Sequence, residues 1–302
     1  MLGASGFLGM HVREVAEPGE VQPLTRGAIP PDAGELAWIR LEATPGEGLA
    51  EDLERLVRER APRAVLCLAA MASGAECERD PEAARLANAE LPGAVARACA
   101  KASVRLVHAS TDLVFGAAPA PKAGFSELDP VAPLGVYGAT KAAGERAVLE
   151  AAADALVVRL PLLFGFSAGR GAGASDSLFA GLLRGDDVFL FDDEWRQPLR
   201  AALAARALLA LCDRPQVTGV LNLPGPERLS RADFGERLIA AARRYGAQFK
   251  AFAARGTRDQ RGLAGSRPAD TCLGDARARA ELGPWSETLD RSIELEAARR
   301  FA

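Results

Sequence analysis

Short apolar runs alternate with longer stretches of helical periodicity through the first half of the chain. Val65–Leu68 (VLCL) and Val104–Val107 (VRLV) have the length and composition of buried parallel strands, and Pro81–Ala100 between them spaces Ala, Leu, Glu and Arg as a helix does. A third run, Ala155–Phe164, follows the helix-like Lys141–Ala153. Strand–helix–strand units of this length require right-handed crossovers and a parallel sheet. After Gly165 the rhythm changes. Ser167–Ser175 is rich in Gly, Ala and Ser and reads as a loop, followed by a predicted helix over Asp176–Leu183 and a strand over Val188–Phe191. Ser230, three residues before Asp233, predicts the N-cap of a helix running to about Arg244. The expected fold is α/β, a Rossmann-type doubly wound parallel sheet over residues 1–165 with a smaller second part over 166–302, some strands of which return to the first sheet.

Composition narrows the function classes. The 302 residues carry 37 basic and 40 acidic side chains, so no basic surplus exists to neutralise a phosphate backbone, and nucleic acid is not an expected partner. The five cysteines are odd in number and never occur as C-x-x-C, which fits neither a disulfide framework nor a zinc site and suits a reducing cytosol. No apolar run approaches the ~18 residues of a membrane helix, and the start lacks the basic region of a signal peptide. A cytoplasmic protein without a membrane partner is expected. The acidic run Asp186-Asp187 and Asp192-Asp193-Glu194 lacks a histidine or a regular ligand spacing and reads as solvated loop ends, so no metal site is expected. His108 lies inside an apolar strand pattern and reads as a buried, hydrogen-bonded histidine.

Three motifs bear chemistry. Gly3-Ala4-Ser5-Gly6-Phe7-Leu8-Gly9 runs into a helix, and glycines at this spacing let backbone turn tightly against a pyrophosphate at a helix N-terminus. Only Met1 and Leu2 precede it, whereas the first strand of such a sheet normally lies in its middle; the expectation is that the natural chain begins several residues upstream. Arg26 follows Gly9 by 17 residues, near the place where an NAD-binding chain puts an acid on the ribose hydroxyls. An arginine there pairs with a 2′-phosphate, which favours NADP(H) over NAD(H). Tyr137-Gly-Ala-Thr-Lys141 places a phenol and an ammonium on one helix face. With two tyrosines and four lysines in the chain, chance supplies roughly 0.03 such pairs. Upstream, Ser110 and Thr111 end a strand at the carboxyl edge of the sheet, where a hydroxyl holds a substrate carbonyl while the tyrosine protonates it.

Together these residues resemble the extended short-chain dehydrogenase/reductase superfamily, and more closely the dTDP-4-dehydrorhamnose reductases and other sugar-nucleotide reductases. The likeness runs through Gly3–Gly9, Leu68–Ser73 (LAAMAS), Asn88, Ser110–Phe115 (STDLVF) and Pro133–Glu145 (PLGVYGATKAAGE). It continues through Val158–Gly165 (VRLPLLFG), Asp193–Pro198 (DEWRQP) and Ser266–Gly274 (SRPADTCLG). The resemblance implies Tyr137 as general acid, Lys141 lowering its pKa and binding the nicotinamide ribose, and Thr111 orienting the carbonyl. Gly3, Ser5, Gly6, Phe7, Leu8 and Gly9 would hold the pyrophosphate, Arg26 the 2′-phosphate and Glu42 the adenine side, while Ala69, Ala70 and Met71 line the cofactor groove. Ser110, Thr111 and Arg196 would contact the substrate, Arg196 at its diphosphate. The implied activity is NADP(H)-dependent reduction of a keto group on a nucleotide-linked deoxysugar, and a homodimer is compatible with the resemblance alone. The alternatives are a nucleotide-sugar epimerase or dehydratase, and a non-catalytic regulatory subunit like that of methionine adenosyltransferase. One departure stands out: MASGAECERDP (Met71–Pro81) lacks the Tyr-Thr pair that many rhamnose-pathway reductases carry near the substrate.

Overall fold

The computed structural model describes residues 1–25, 27, 29–31, 36–41, 48–169 and 172–302. Helix α1 (Phe7–Val15) leaves the glycine loop and leads to two short parallel strands, β1 (Leu24–Thr25) and β2 (Ile39–Arg40). Then follow α2 (Leu49–Arg60), β3 (Ala64–Cys67), two short helices α3 (Gly74–Arg79) and α4 (Pro81–Arg85), a π-helical turn (Leu86–Glu90) and α5 (Leu91–Ala102). The first half closes with β4 (Arg105–Thr111), α6 (Val136–Ala151) and β5 (Leu156–Leu160). The second half holds β6 (Leu163–Phe164), α7 (Ala174–Arg184), β7 (Val188–Phe191), β8 (Trp195–Arg196), β9 (Leu199–Arg200), α8 (Ala201–Cys212) and β10 (Gly219–Asn222). It ends with β11 (Leu229–Ser230), α9 (Arg231–Arg244), β12 (Ala253–Gly256), α10 (Ala276–Leu282) and α11 (Leu289–Phe301).

Strands β10, β5, β4 and β3 lie side by side in that order, all parallel. β10 therefore returns from beyond residue 166 to finish the first sheet. The strands alternate their side chains as period two requires. Val65, Leu106 and Val157 face α2, α5 and α6, whereas Leu66, Val107, Leu156 and Val158 face α1 and α8. Helices thus cover both faces, which is why these strands read as nearly continuous apolar runs. A separate core in the second half gathers Phe164, Phe179, Phe234, Leu238 and Ile293 among α7, α9 and α11.

Ahead of the glycine loop, Leu2 bridges Cys67 on one side and Leu24 on the other, and among the described residues it is what joins β1 and β2 to the larger sheet. On its amino-terminal side a cavity of about 410 Å³ opens between β1 and β3, bordered by Met1, Leu24, Ile39, Val65, Leu66 and Cys212 among others. The Met1 amino group donates to the Gln22 carbonyl (2.8 Å) at this place.

Several boundaries differ from the sequence pattern. The stretch from Pro81 to Ala100 is interrupted by the π turn at Leu86–Glu90. The run Ala155–Phe164 divides into β5 and β6 around Pro161, which has no N–H to give a ladder. β4 extends beyond Val107 to Thr111, because His108 to Thr111 pair with β5 although their side chains are polar or small. Val188–Phe191 and the Ser230-capped helix to Arg244 lie where expected, with Ser230 accepting from the Asp233 N–H (3.0 Å).

Candidate active site

The chain builds β1 and β2 to one side of Leu2 and β3, β4 and β5 to the other, so the sheet order reverses at the glycine loop. Such a switch point opens a crevice at the carboxyl ends of the strands. Gly3 has φ +78°, and a Cβ on it would stand 2.6 Å from the Ala69 nitrogen; a Cβ on Gly9 would stand 2.2 Å from the Gly3 carbonyl oxygen. Neither contact is tolerable, so both positions need glycine. Gly6 starts α1 with no side-chain cap bond, which leaves the first-turn amides and the positive end of the helix for an anion. This cradle fits a pyrophosphate. Beside it, Ser5 is half-buried and Leu8 packs into the core beneath. The ring of Phe7 fills the space where a Cβ on Gly173 would otherwise sit, 2.6 Å away.

Ala69, Ala70 and Met71 leave the carboxyl end of β3 along the crevice, with Ala70 exposed. Asn88 fixes this stretch from the π turn. Its Oδ1 accepts from the Met71 N–H (2.9 Å), and its Nδ2 donates to the Met71 carbonyl (3.1 Å) and to Thr140 Oγ1 (3.1 Å) on α6. One buried amide therefore ties the loop to the helix that carries Tyr137 and Lys141.

Thr111 ends β4 and caps the short turn that follows, accepting from the Leu113 N–H (3.2 Å) and donating to Asp112 Oδ1 (3.1 Å). Its side chain is also near enough to the Tyr137 phenol to favour the phenolate; burial outweighs this and pushes Tyr137 up to about 12. Lys141 stands one turn further along α6 and is 2% exposed, its Nζ donating to the Ala109 carbonyl (2.7 Å) and lying 3.3 Å from His108 Nε2. Burial brings Lys141 down to about 8. His108 is wholly buried, and burial together with Lys141 holds its pKa well below the usual imidazole value, so the neutral ring accepts from the ammonium. The implied lowering of the tyrosine pKa by Lys141 is thus not what this state displays. The ammonium is spent on Ala109 and His108, and desolvation governs the phenol.

Ser110 points to the opposite strand face from Thr111. Its hydroxyl donates to Glu145 Oε1 (2.6 Å), and Glu145 takes Arg159 Nη2 at 2.8 Å, all inside the core. The structure gives Ser110 this internal task in place of the expected substrate contact. Glu145 follows Lys141 by one helical turn, so the four-residue spacing of Tyr137, Lys141 and Glu145 is the sequence signal that marks it.

Arg196 is buried, donating to the Trp195 carbonyl (2.7 Å) and the Pro268 carbonyl (3.1 Å), so both ends of its guanidinium are already engaged. Asp186 and Asp187 are exposed at the end of α7, as solvated loop ends, whereas Asp192–Glu194 are not. Glu194 is fully buried and chelated by Arg267, Asp193 meets Arg258 (3.1 Å), and Asp192 meets Arg255. These three acids are turned to arginines distant in sequence, which local composition could not reveal. Arg26 and Glu42 lie outside the described residues. Among the described residues no group of His, Cys, Asp and Glu is placed to hold a metal ion, and no helix is long and apolar enough to cross a membrane.

Comparison with known proteins agrees with this geometry. A probable low-salt glycan biosynthesis reductase, Agl14, of Haloferax volcanii is 31% identical over 300 residues, covering 98% of this chain and 96% of that protein. A dTDP-4-dehydrorhamnose reductase of Mycolicibacterium smegmatis is 33% identical over 225 residues, 72% of this chain and 66% of the relative. The crystal structure of a dTDP-4-dehydrorhamnose reductase from Bacillus anthracis in complex with NADP superposes with a TM-score of 0.80 over 98% of this chain and 96% of that one, at 21% identity, and so shares the fold. Residues 1–297 match the family described as the RmlD substrate binding domain, and the chain belongs to that family.

Proposed function

We propose that this chain is an NADP(H)-dependent oxidoreductase that reduces a keto group on a nucleotide-linked deoxysugar in the cytoplasm. The observation that carries the reading is the meeting of Tyr137 and Thr111 at the carboxyl end of β4, one helical turn from Lys141 and next to a glycine cradle suited to a dinucleotide. The names of the relatives supply the substrate class. When bound, the nicotinamide supplies the hydride. Tyr137 keeps its proton at neutral pH and so is loaded to give it to the carbonyl oxygen as charge develops there. Thr111 orients that oxygen by turning its one hydroxyl proton from Asp112 to the carbonyl when substrate enters. Lys141 would hold the nicotinamide ribose, and its ammonium, one helical turn from the phenol, would lower the cost of the tyrosinate left after transfer. The preference for NADP(H) rests on Arg26 as a partner of the 2′-phosphate.

The test is Tyr137→Phe, assayed with NADPH against a set of keto-sugar nucleotides. Turnover is expected to fall about 10³-fold while NADPH affinity stays within about twofold. Full activity in the variant would sink the mechanism.

A further inference from the structure

Three arginines converge beyond Asp112, and they are not equivalent. β8 pairs antiparallel with β11, which brings the first residue of α9, Arg231, next to Glu194; the Arg231 N–H donates to the Glu194 carbonyl (2.8 Å). The Glu194 carboxylate is fully buried, bonded by Arg267 (Nη2 at 3.0 Å), with Arg196 at 3.9 Å. Arg196 is otherwise spent on two backbone carbonyls, and Arg267 on Glu194. These two arginines fasten the β8 strand to the Arg267–Pro268 segment, each with part of its guanidinium already committed.

Arg231 differs. It is half-buried, and its guanidinium makes no hydrogen bond and no ion pair with the described residues. The charges acting on it are Glu194 and Asp112 in favour, Arg196 and Arg267 against; burial is the largest influence and brings its pKa down to about 10. Three cations thus face two acids, and one of those acids, Asp112, is itself pushed toward its neutral form by burial. A desolvated guanidinium with like charges beside it is costly until an anion completes it. Asp112, one of the groups within its field, follows directly on Thr111. The uncompensated charge is therefore within electrostatic reach of the end of β4, where Thr111 stands.

We infer that Arg231 is the anion-recognition residue of the substrate pocket, receiving the diphosphate bridge of a nucleotide-linked substrate in the fork of its guanidinium, while Arg196 and Arg267 shape the strand behind it. The planar fork matches two phosphate oxygens at once. The identity of the ligand rests on the reductase reading above; the uncompensated guanidinium does not. The inference moves the phosphate contact from Arg196, where sequence resemblance puts it, to a residue of another element.

The experiment is calorimetric titration of the full chain with UDP and with dTDP, and in parallel with uridine and thymidine, for the wild type, Arg231→Met and Arg231→Lys. Arg231→Met is expected to weaken binding of whichever nucleoside diphosphate the wild type takes by about 10- to 100-fold, as loss of a charged hydrogen bond does. The variant should leave nucleoside and NADPH affinity within about twofold, and Arg231→Lys should recover part of the loss. Equal diphosphate affinity in wild type and Arg231→Met overturns the inference, as does a matching loss for the nucleosides or a wild type that binds neither diphosphate. The two readings separate cleanly. Diphosphate binding that depends on Arg231, in a protein that reduces no keto-sugar nucleotide, keeps this inference and removes the reductase reading. NADPH-dependent turnover with an unchanged KM in Arg231→Met does the reverse.

Discussion

The two ends of one parallel sheet are built on opposite plans. At the carboxyl end, polar groups are buried in number and nearly all are engaged: Ser110 with Glu145, Glu145 with Arg159, Lys141 with Ala109 and His108, Thr111 with Asp112, and Asp112 with Thr271 (2.6 Å). At the amino end the polar contacts are chiefly those of Arg105 and Arg277 with backbone carbonyls, and among the described residues Leu2 alone holds the ladder beside a cavity of about 410 Å³. The first end has little tolerance for a missing partner, because each group left alone is stranded in a low dielectric. The second end lacks packing, not partners. Stability can therefore be lost at one end and gained at the other by changes that do not touch each other.

The sharpest break of this contrast is at Glu145. Glu145→Leu leaves Arg159, only 3% exposed, without its carboxylate, and is expected to cost about 3–5 kcal/mol in urea unfolding. A loss below about 1 kcal/mol would show that the carboxyl end is more forgiving than its hydrogen bonds suggest. Next comes Lys141. A lysine whose folded pKa, about 8, lies below its unfolded value of 10.5 binds fewer protons in the folded state, so stability should rise as pH climbs through that interval. The cost at pH 7 is on the order of 3 kcal/mol, and Lys141→Met is expected to recover much of it and to flatten the rise. A variant that is less stable at pH 7, or that keeps the rise, would remove Lys141 as its source. The smallest effect belongs to the other end. Four alternately apolar residues added ahead of Met1 should enter between β1 and β3 and raise stability by about 1–2 kcal/mol, seen as a higher Tm, with no change in NADPH affinity. An unchanged Tm would mean that the cavity does not accept a strand.

What could be read from the sequence divides along the same physical line, between local patterns and distant pairings. The strand–helix rhythm, the β7 strand and the Ser230 cap are local, and they stand where periodicity and capping put them. The Tyr137–Lys141 pair was legible because four residues is one helical turn. The task of Ser110 was not, since Glu145 is far off in sequence and only the fold brings it within 2.6 Å. β4 outran its apolar core because a hydroxyl is no obstacle in a strand whose backbone is fully paired. The acids at Asp192–Glu194 looked solvated for the same reason: their arginines come from residues 255 to 267. Arg231 carried no motif at all. Its standing comes from having no partner among the described residues, a property that only the folded arrangement displays.

The π turn at Leu86–Glu90 has a consequence for how this chain tolerates changes in length. A π turn holds one residue more than the α-helical path around it, so it amounts to an insertion kept within a helix. Here it surrounds Asn88, whose side-chain amide is what connects the Met71 loop to α6. A deletion that restored regular helix would rotate every residue on one side of it by about 100° about the axis. The most regular version of this helix is thus the one in which the Met71 loop and α6 no longer share a tether.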